Sequence, residues 1–257
     1  MKRQIKLWTG IGACMLAQSL GTEAIAAGLN SSTTTNPGIE WAGQEYLLTD
    51  AAGGEGGEGG EGGEGGDSSS DFQDRLRGAA LLSALRSGGY VIYFRHAQTD
   101  ADYADQASAT LNLNDCSTQR TLSQVGWQQA RSIGQAFQSL QIPVAQVYSS
   151  EYCRAWQTAD LAFGRFQKTS ALNFPPSEEY TDAQVQQMRN AVMPLLTAVP
   201  AQGTNTVIVG HDDIFDAATG IYPEPQGVAY VLRPNGQGGF DILANMTATE
   251  WAELPGS

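Results

Sequence analysis

From residue 71 onward the apolar positions of the chain alternate between helical and strand spacing. Phe72, Leu76, Ala79, Ala80, Leu82 and Leu85 recur at helical intervals, and Gly88-Gly89 closes the helix they predict. Tyr90-Val91-Ile92-Tyr93-Phe94 follows as a short aromatic and β-branched run, the pattern of a buried strand. Thr121-Leu122-Ser123-Gln124 reads as a capping box opening a helix with Leu122, Val125, Ile133, Phe137 and Leu140 on one face. Val144 to Tyr148 is a second strand, and Ser149 or Ser150 can cap a helix that begins near Glu151 and carries Trp156, Leu161 and Phe163. A helix from about Asp182 to Ala198 presents Val185, Met188, Val192, Leu195 and Leu196. Thr206 to Gly210 is a third buried strand, with Val228 to Leu232 and Phe240 to Leu243 as further strands. Strand and helix in alternation predict an α/β domain over residues 71–257, its sheet parallel or mostly parallel with helices on both faces. Its roughly 185 residues are enough for one good core.

The first 70 residues have a different texture. Gly53 to Gly66 repeats Gly-Gly-Glu, with no apolar side chain to bury and maximal backbone entropy, so residues 27–70 read as a flexible leader and linker. The prolines that stiffen a collagen helix are absent. Within the leader only Ile39 to Leu48, with Trp41, Tyr46, Leu47 and Leu48, has enough apolar content to dock on something. Residues 1–26 have the layout of an export signal: Lys2, Arg3 and Lys6, a mostly apolar stretch from Leu7 to Leu20, then Ala24-Ile25-Ala26 for a signal peptidase. That stretch is too short for a stable membrane span. A competing reading makes Ile11-Gly12-Ala13-Cys14 a lipoprotein box, but the Ala-x-Ala site is better formed. The mature protein is therefore expected to be periplasmic or secreted.

Cleavage after residue 26 removes three basic residues and one acidic one, taking the net charge from −13 to −15. Such a surface has no electrostatic footprint for nucleic acid or anionic lipid, and any anion site must be assembled locally from a few converging cations. Cys116 and Cys153 would be the cysteines remaining, which permits one disulfide or two buried thiols. Two cysteines and two histidines spread this far apart make no metal cluster.

Both histidines of the chain, His96 and His211, directly follow predicted buried strands. The carboxyl ends of strands form the ligand crevice of an open α/β sheet, so both are expected at one edge. Arg154 follows the strand at Val144–Tyr148 and falls in the first turn of the next helix, where free N–H groups favour an anion. Arg95 lies at the neighbouring strand end, and two guanidinium forks suit phosphate oxygens. Together these residue types describe phosphoryl transfer. A neutral imidazole attacks phosphorus in line, cations hold the equatorial oxygens, and a carboxylic acid protonates the leaving oxygen. No cofactor is required by that scheme.

Arg95-His96-Ala97-Gln98-Thr99 resembles the Arg-His-Gly signature of the histidine phosphatase superfamily. The likeness runs from about Tyr90 to Pro234 and takes in Gln119-Arg120-x-Leu122-Ser123 with Gly126, Ser149-Ser150 through Cys153-Arg154 and Thr158-Ala159, and Val207 to His211 with Thr219-Gly220. The resemblance implies a three-layer α/β/α sandwich with a mostly parallel central sheet, His96 as the phosphorylated nucleophile, and Arg95, Arg154 and His211 around the phosphoryl group. Ala97 stands where the family has glycine, which suits a negative φ. The short region between His96 and Arg154 leaves out the large cap insertions of phytase-like members and predicts a fairly open pocket. The acid is Asp212, by likeness to the acid-phosphatase branch, or Glu178 or Glu179, by likeness to the mutase-like members.

The expected activity is hydrolysis of a small phosphomonoester through a phosphohistidine on His96. Two alternatives are a mutase-like phosphotransferase, against which export speaks, and a non-catalytic phosphate-binding or tethering protein, for which the Gly-Glu tether and the Trp41–Leu48 patch speak.

Overall fold

The computed structural model describes residues 72–100, 110–177 and 179–255. The export signal, the lipoprotein box at Cys14, the Gly-Gly-Glu linker, the Trp41–Leu48 patch and Glu178 lie outside the described residues. The chain from Phe72 runs into α1 (Gly78–Ser87), β1 (Val91–Arg95), α2 (Gln124–Ser139), β2 (Val144–Ser149), α3 (Cys153–Phe163), β3 (Gln167–Lys168), α4 (Asp182–Thr197), β4 (Asn205–Gly210), α5 (Asp212–Thr219), β5 (Ala229–Pro234), β6 (Phe240–Met246) and α6 (Glu250–Glu253).

The strands form one mixed sheet in the order β3-β2-β4-β1-β5-β6. β1, β2, β3 and β4 are mutually parallel; β5 runs against both β1 and β6. Side chains of β1 alternate between two cores, as the period of two requires. Ile92 and Phe94 pack with Leu81, Leu85, Phe137, Ala159 and Trp251 from α1, α2, α3 and α6. Val91 and Tyr93 pack with Val192, Leu196 and Phe215 from α4 and α5. These are the three layers expected from the alternating pattern.

The differences from the sequence reading sit at element ends. α1 starts at Gly78 behind the N-cap Arg77, so Phe72 and Leu76 precede it. They are used by the sheet instead: the Phe72 ring lies 5.9 Å from that of Tyr230, and the Leu76 N–H donates to the Leu243 carbonyl. α2 is capped by Ser123, which accepts from the Gly126 N–H; the box expected at Thr121 is absent. Leu122 pairs with Thr99 in an isolated bridge, which commits Thr121-Leu122 to extended backbone, and Val125 turns outward at 50% exposure. A reciprocal capping box forms at Thr181 and Gln184, where α4 begins.

Two tertiary contacts fix the loops around the strand ends. The N-terminus of α2 rests on Gln98, whose carbonyl accepts from the Ser123 N–H, and a Cβ on Gly126 would stand 2.0 Å from that carbonyl oxygen. Cys116 and Cys153 are bonded to each other, with Cα atoms 5.7 Å apart, tying the turn before α2 to the first residue of α3. Gly126→Ala is expected to push α2 off the Gln98 backbone and cost about 1–3 kcal/mol in urea unfolding, since backbone cannot yield as a side chain can; an unchanged midpoint would refute that contact. Replacing Cys116 and Cys153 together by serine should cost about 2–4 kcal/mol, and thiol reduction of the unsubstituted chain should reproduce the loss.

Candidate active site

β1 pairs with β4 so that Arg95 stands opposite Gly210, and the His96 N–H donates to the Gly210 carbonyl. The two residues that follow the paired strands, His96 and His211, are thereby brought together, their ring centroids 5.4 Å apart. Close approach of β4 to Tyr93 requires a glycine at 210, because a Cβ there would lie 2.2 Å from the Tyr93 hydroxyl oxygen. That hydroxyl accepts from the His211 N–H at 2.9 Å and donates to the His211 carbonyl at 2.7 Å, fixing the backbone of the second histidine.

His96 is held at both ring nitrogens. Nδ1 lies 2.8 Å from the Ala97 carbonyl oxygen, which can only accept, and Nε2 receives the Nε–H of Arg154 at 3.2 Å. The ring is therefore the Nδ1–H tautomer with its lone pair on Nε2. Ala97 in turn donates its N–H to the Thr158 hydroxyl, which bonds the Arg154 carbonyl, so α3 carries both Arg154 and the support of the loop after His96. Ala97 is buried and lies outside the positive-φ residues, as the alanine-for-glycine exchange requires.

His211 is the reverse tautomer. Ser150 Oγ donates to Asn173 Oδ1 and accepts from the Tyr152 N–H, so toward His211 Nε2, 2.8 Å away, it acts as acceptor. Nε2 thus carries the proton, and Nδ1 is buried without a hydrogen-bond partner. Both histidines are fully buried. Burial first, then the charge of Arg154, holds each imidazole well below the ordinary histidine pKa, with smaller contributions from Arg120 and Arg95.

The cations are placed by aromatic and carboxylate neighbours. The Arg154 guanidinium lies over the rings of Tyr152 (4.9 Å) and Phe174 (5.6 Å), which stack on each other at 4.4 Å and also flank His211. Arg95 is 5% exposed; it pairs with Asp212 Oδ2 at 2.6 Å and donates to the Pro223 carbonyl at 3.0 Å, leaving its buried Nε without a partner. Asp212, the first residue of α5, also accepts from the Tyr222 hydroxyl at 2.7 Å. The adjacent Asp213 takes the Tyr180 hydroxyl at 3.2 Å, and its carboxyl is pushed up to about 6, by burial first and then by Asp212.

Of the residues singled out by sequence, the structure brings together His96, His211, Arg154, Arg95 and Asp212. Glu179 is exposed, its backbone carbonyl accepting from the Ser177 hydroxyl. Both histidines are buried: Arg154 of α3 stands against His96, and Tyr152 and Phe174 flank His211. Sequence reasoning missed the Ser150–Asn173 pair, the Tyr152–Phe174 stack, Arg120 and Tyr222. For Ser150 and Arg120 the signal was present, since both stand inside the motifs quoted above.

The chain has two histidines, so an imidazole nitrogen spectrum has two unambiguous sets of signals. Both rings are expected to remain neutral and of opposite tautomer as the pH falls from about 8 through the ordinary histidine range at about 6.5. A titration midpoint near the ordinary histidine value for either would contradict the geometry.

Residues 91–172 match the profile of the histidine phosphatase superfamily (branch 1). No curated protein matches the chain. Among solved structures, the chain is similar to the protein histidine phosphatase SixA complexed with tungstate (15% identity, 63% of this chain and 98% of that one, TM-score 0.43). It is similar also to the phosphoserine phosphatase of Entamoeba histolytica in a His-to-Ala mutant with phosphoserine (13%, 62% and 97%, TM-score 0.46). A mycobacterial glucosyl-3-phosphoglycerate phosphatase gives 16% identity, 56% and 92% coverage and a TM-score of 0.42. Among the described residues no helix is long and apolar enough to cross a membrane. The stretch that matches the histidine phosphatase superfamily model runs from β1 to the turn after β3 and holds His96, Arg120 and Arg154.

Proposed function

We propose that the protein hydrolyses phosphomonoesters through a phosphohistidine on His96. The observation that carries this reading is the state of the His96 ring: a buried, neutral imidazole whose Nε2 lone pair is held by an arginine N–H and whose other nitrogen is locked by a carbonyl. The guanidinium satisfies that buried lone pair while the site is empty, and an incoming phosphoryl oxygen would draw the Arg154 N–H to itself and release the lone pair in place.

The sequence of steps follows from the partners. Phosphoryl oxygens replace His96 on Arg154 and take the vacant Arg95 Nε. The proton of a monoanionic ester passes to Asp212 as Arg95 turns to the phosphoryl oxygens, and His211 stays neutral beside them. Nε2 of His96 attacks phosphorus, the N–P bond forms as the P–O bond to the alcohol breaks, and Asp212 passes a proton to the alcohol oxygen. Water then attacks phosphorus, the N–P bond breaks, and the proton of that water returns to Asp212. The ion pair with Arg95 couples the acid to the substrate: a phosphoryl group that claims the guanidinium frees the carboxylate to take up its proton.

Export to an oxidising compartment is part of the same reading, and the Cys116–Cys153 bond beside Arg154 supports it. Incubation with a radiolabelled phosphoester should yield an acid-labile, base-stable phosphoenzyme that His96→Ala does not form. That variant should lose turnover by about three to four orders of magnitude; undiminished hydrolysis would sink the mechanism. Asp212→Asn should slow alkyl phosphates by about 10²–10⁴-fold and p-nitrophenyl phosphate far less, since the latter's leaving group needs little protonation. Measuring free phosphate against transfer to a second alcohol separates hydrolysis from a mutase-like transfer.

A further inference from the structure

Beside the histidines, but not lined by them, lies a cleft of about 450 Å³ bordered by Arg95, Gln98, Asp100, Gln129, Glu224 and Gln226 among the described residues. It abuts the nucleophile's own backbone: the Gly227 N–H donates to the His96 carbonyl, and the Gly227 Cα is close enough to Gln129 that a Cβ would stand 3.3 Å from its Oε1. Gln129 Oε1 accepts from the Gln98 N–H at 3.0 Å, and Gln226 Oε1 from the Thr99 N–H at 2.8 Å. The two carboxamides are thereby oriented by the strand-end loop that carries His96. The polar lining is three carboxamides, two carboxylates and Thr99, with Arg95 as its one cation among the described residues, and that cation is paired with Asp212. Pro225 is its one apolar side chain.

Resting on the phosphatase reading, we propose that this cleft receives the alcohol part of the ester and selects a polyhydroxylated, uncharged one, so that the substrate class is sugar or polyol monophosphates. With Arg95 turned to the phosphoryl group, a second anionic group on the substrate would face Asp100 and Glu224 with no cation to offset them. Aryl or long alkyl groups would find only Pro225 and the stems of polar side chains to bury against, and would leave the carboxamides and carboxylates unpaired. Hydroxyl groups, which both donate and accept, match carboxamides and carboxylates alike. A cationic amine would match the carboxylates but leave the three carboxamides unused.

The test compares kcat/KM of the full chain for glucose 6-phosphate, 3-phosphoglycerate, phosphoethanolamine and p-nitrophenyl phosphate. Glucose 6-phosphate should exceed 3-phosphoglycerate and phosphoethanolamine by about tenfold or more, with the gap to 3-phosphoglycerate narrowing as salt is raised. In the Asp100→Asn, Glu224→Gln double variant the ratio of glucose 6-phosphate to 3-phosphoglycerate should fall several-fold; because it is a ratio on one protein sample, partial unfolding cancels. Turnover of p-nitrophenyl phosphate with no preference for the sugar, a preference for phosphoethanolamine, or a ratio unmoved by the double variant overturns this inference and leaves the phosphatase standing. No phosphate released from any of the four overturns the phosphatase reading itself and this inference with it.

Discussion

The parallel pairing of β1 with β4 is the constraint from which the site follows. Its register sets Arg95 against Gly210, so the residues next in line, His96 and His211, leave the sheet side by side. A slip of one residue would exchange the two cores, sending Ile92 and Phe94 to the α4–α5 side and Val91 and Tyr93 to the other. The large apolar burial on both faces therefore holds the register, and the register holds the chemistry. Tyr93 makes the link explicit: its ring is part of the core, and its hydroxyl bonds both the N–H and the carbonyl of His211.

Local cations then oppose the field of a strongly acidic chain. Arg154, Arg95 and Arg120 all act on both imidazoles, and burial strengthens that action by removing water. Their effect on the histidines and on a phosphoryl ligand has opposite sign. The same charges that keep the rings neutral, as the proposed nucleophile requires, would attract an anion. The Tyr152–Phe174 stack serves both ends, supporting the Arg154 guanidinium over its faces while flanking His211. The disulfide ends at Cys153, whose N–H is taken by Gln119 Oε1, so the turn leading to Arg120 and the helix bearing Arg154 are fastened to each other.

Much of this was legible because buried strands advertise themselves: Val91 to Phe94 and Thr206 to Val209 are continuous apolar or β-branched runs, and whatever follows them must emerge at the crevice. The element starts were less legible, since a capping pattern is local and a helix start is not. Thr121 and Gln124 have the right spacing for a box, but burial of Leu122 and its bridge to Thr99 keep that backbone extended, and the cap passes to Ser123. Phe72 and Leu76 have helical spacing yet serve the sheet. Asn173 and Phe174 carried no motif, because their positions depend on how the segment after β3 packs back on the Ser150–Tyr152 turn.

The proposed general acid shows why a sequence resemblance alone could not decide among carboxylates. Asp212 and Asp213 are neighbours at the start of α5, chemically identical and both near the dipole that favours an anion. Their partners separate them. Asp213 faces a phenol and is pushed toward protonation, with no cation paired to it among the described residues. Asp212 faces Arg95, a group that the phosphoryl ligand also needs. A carboxyl that is raised by burial alone takes up or loses its proton with or without substrate. In the proposed mechanism, one held by the substrate's own binding group would be released by the arrival of phosphate, so that proton transfer would follow binding and the acid would be tied to Arg95, next to His96.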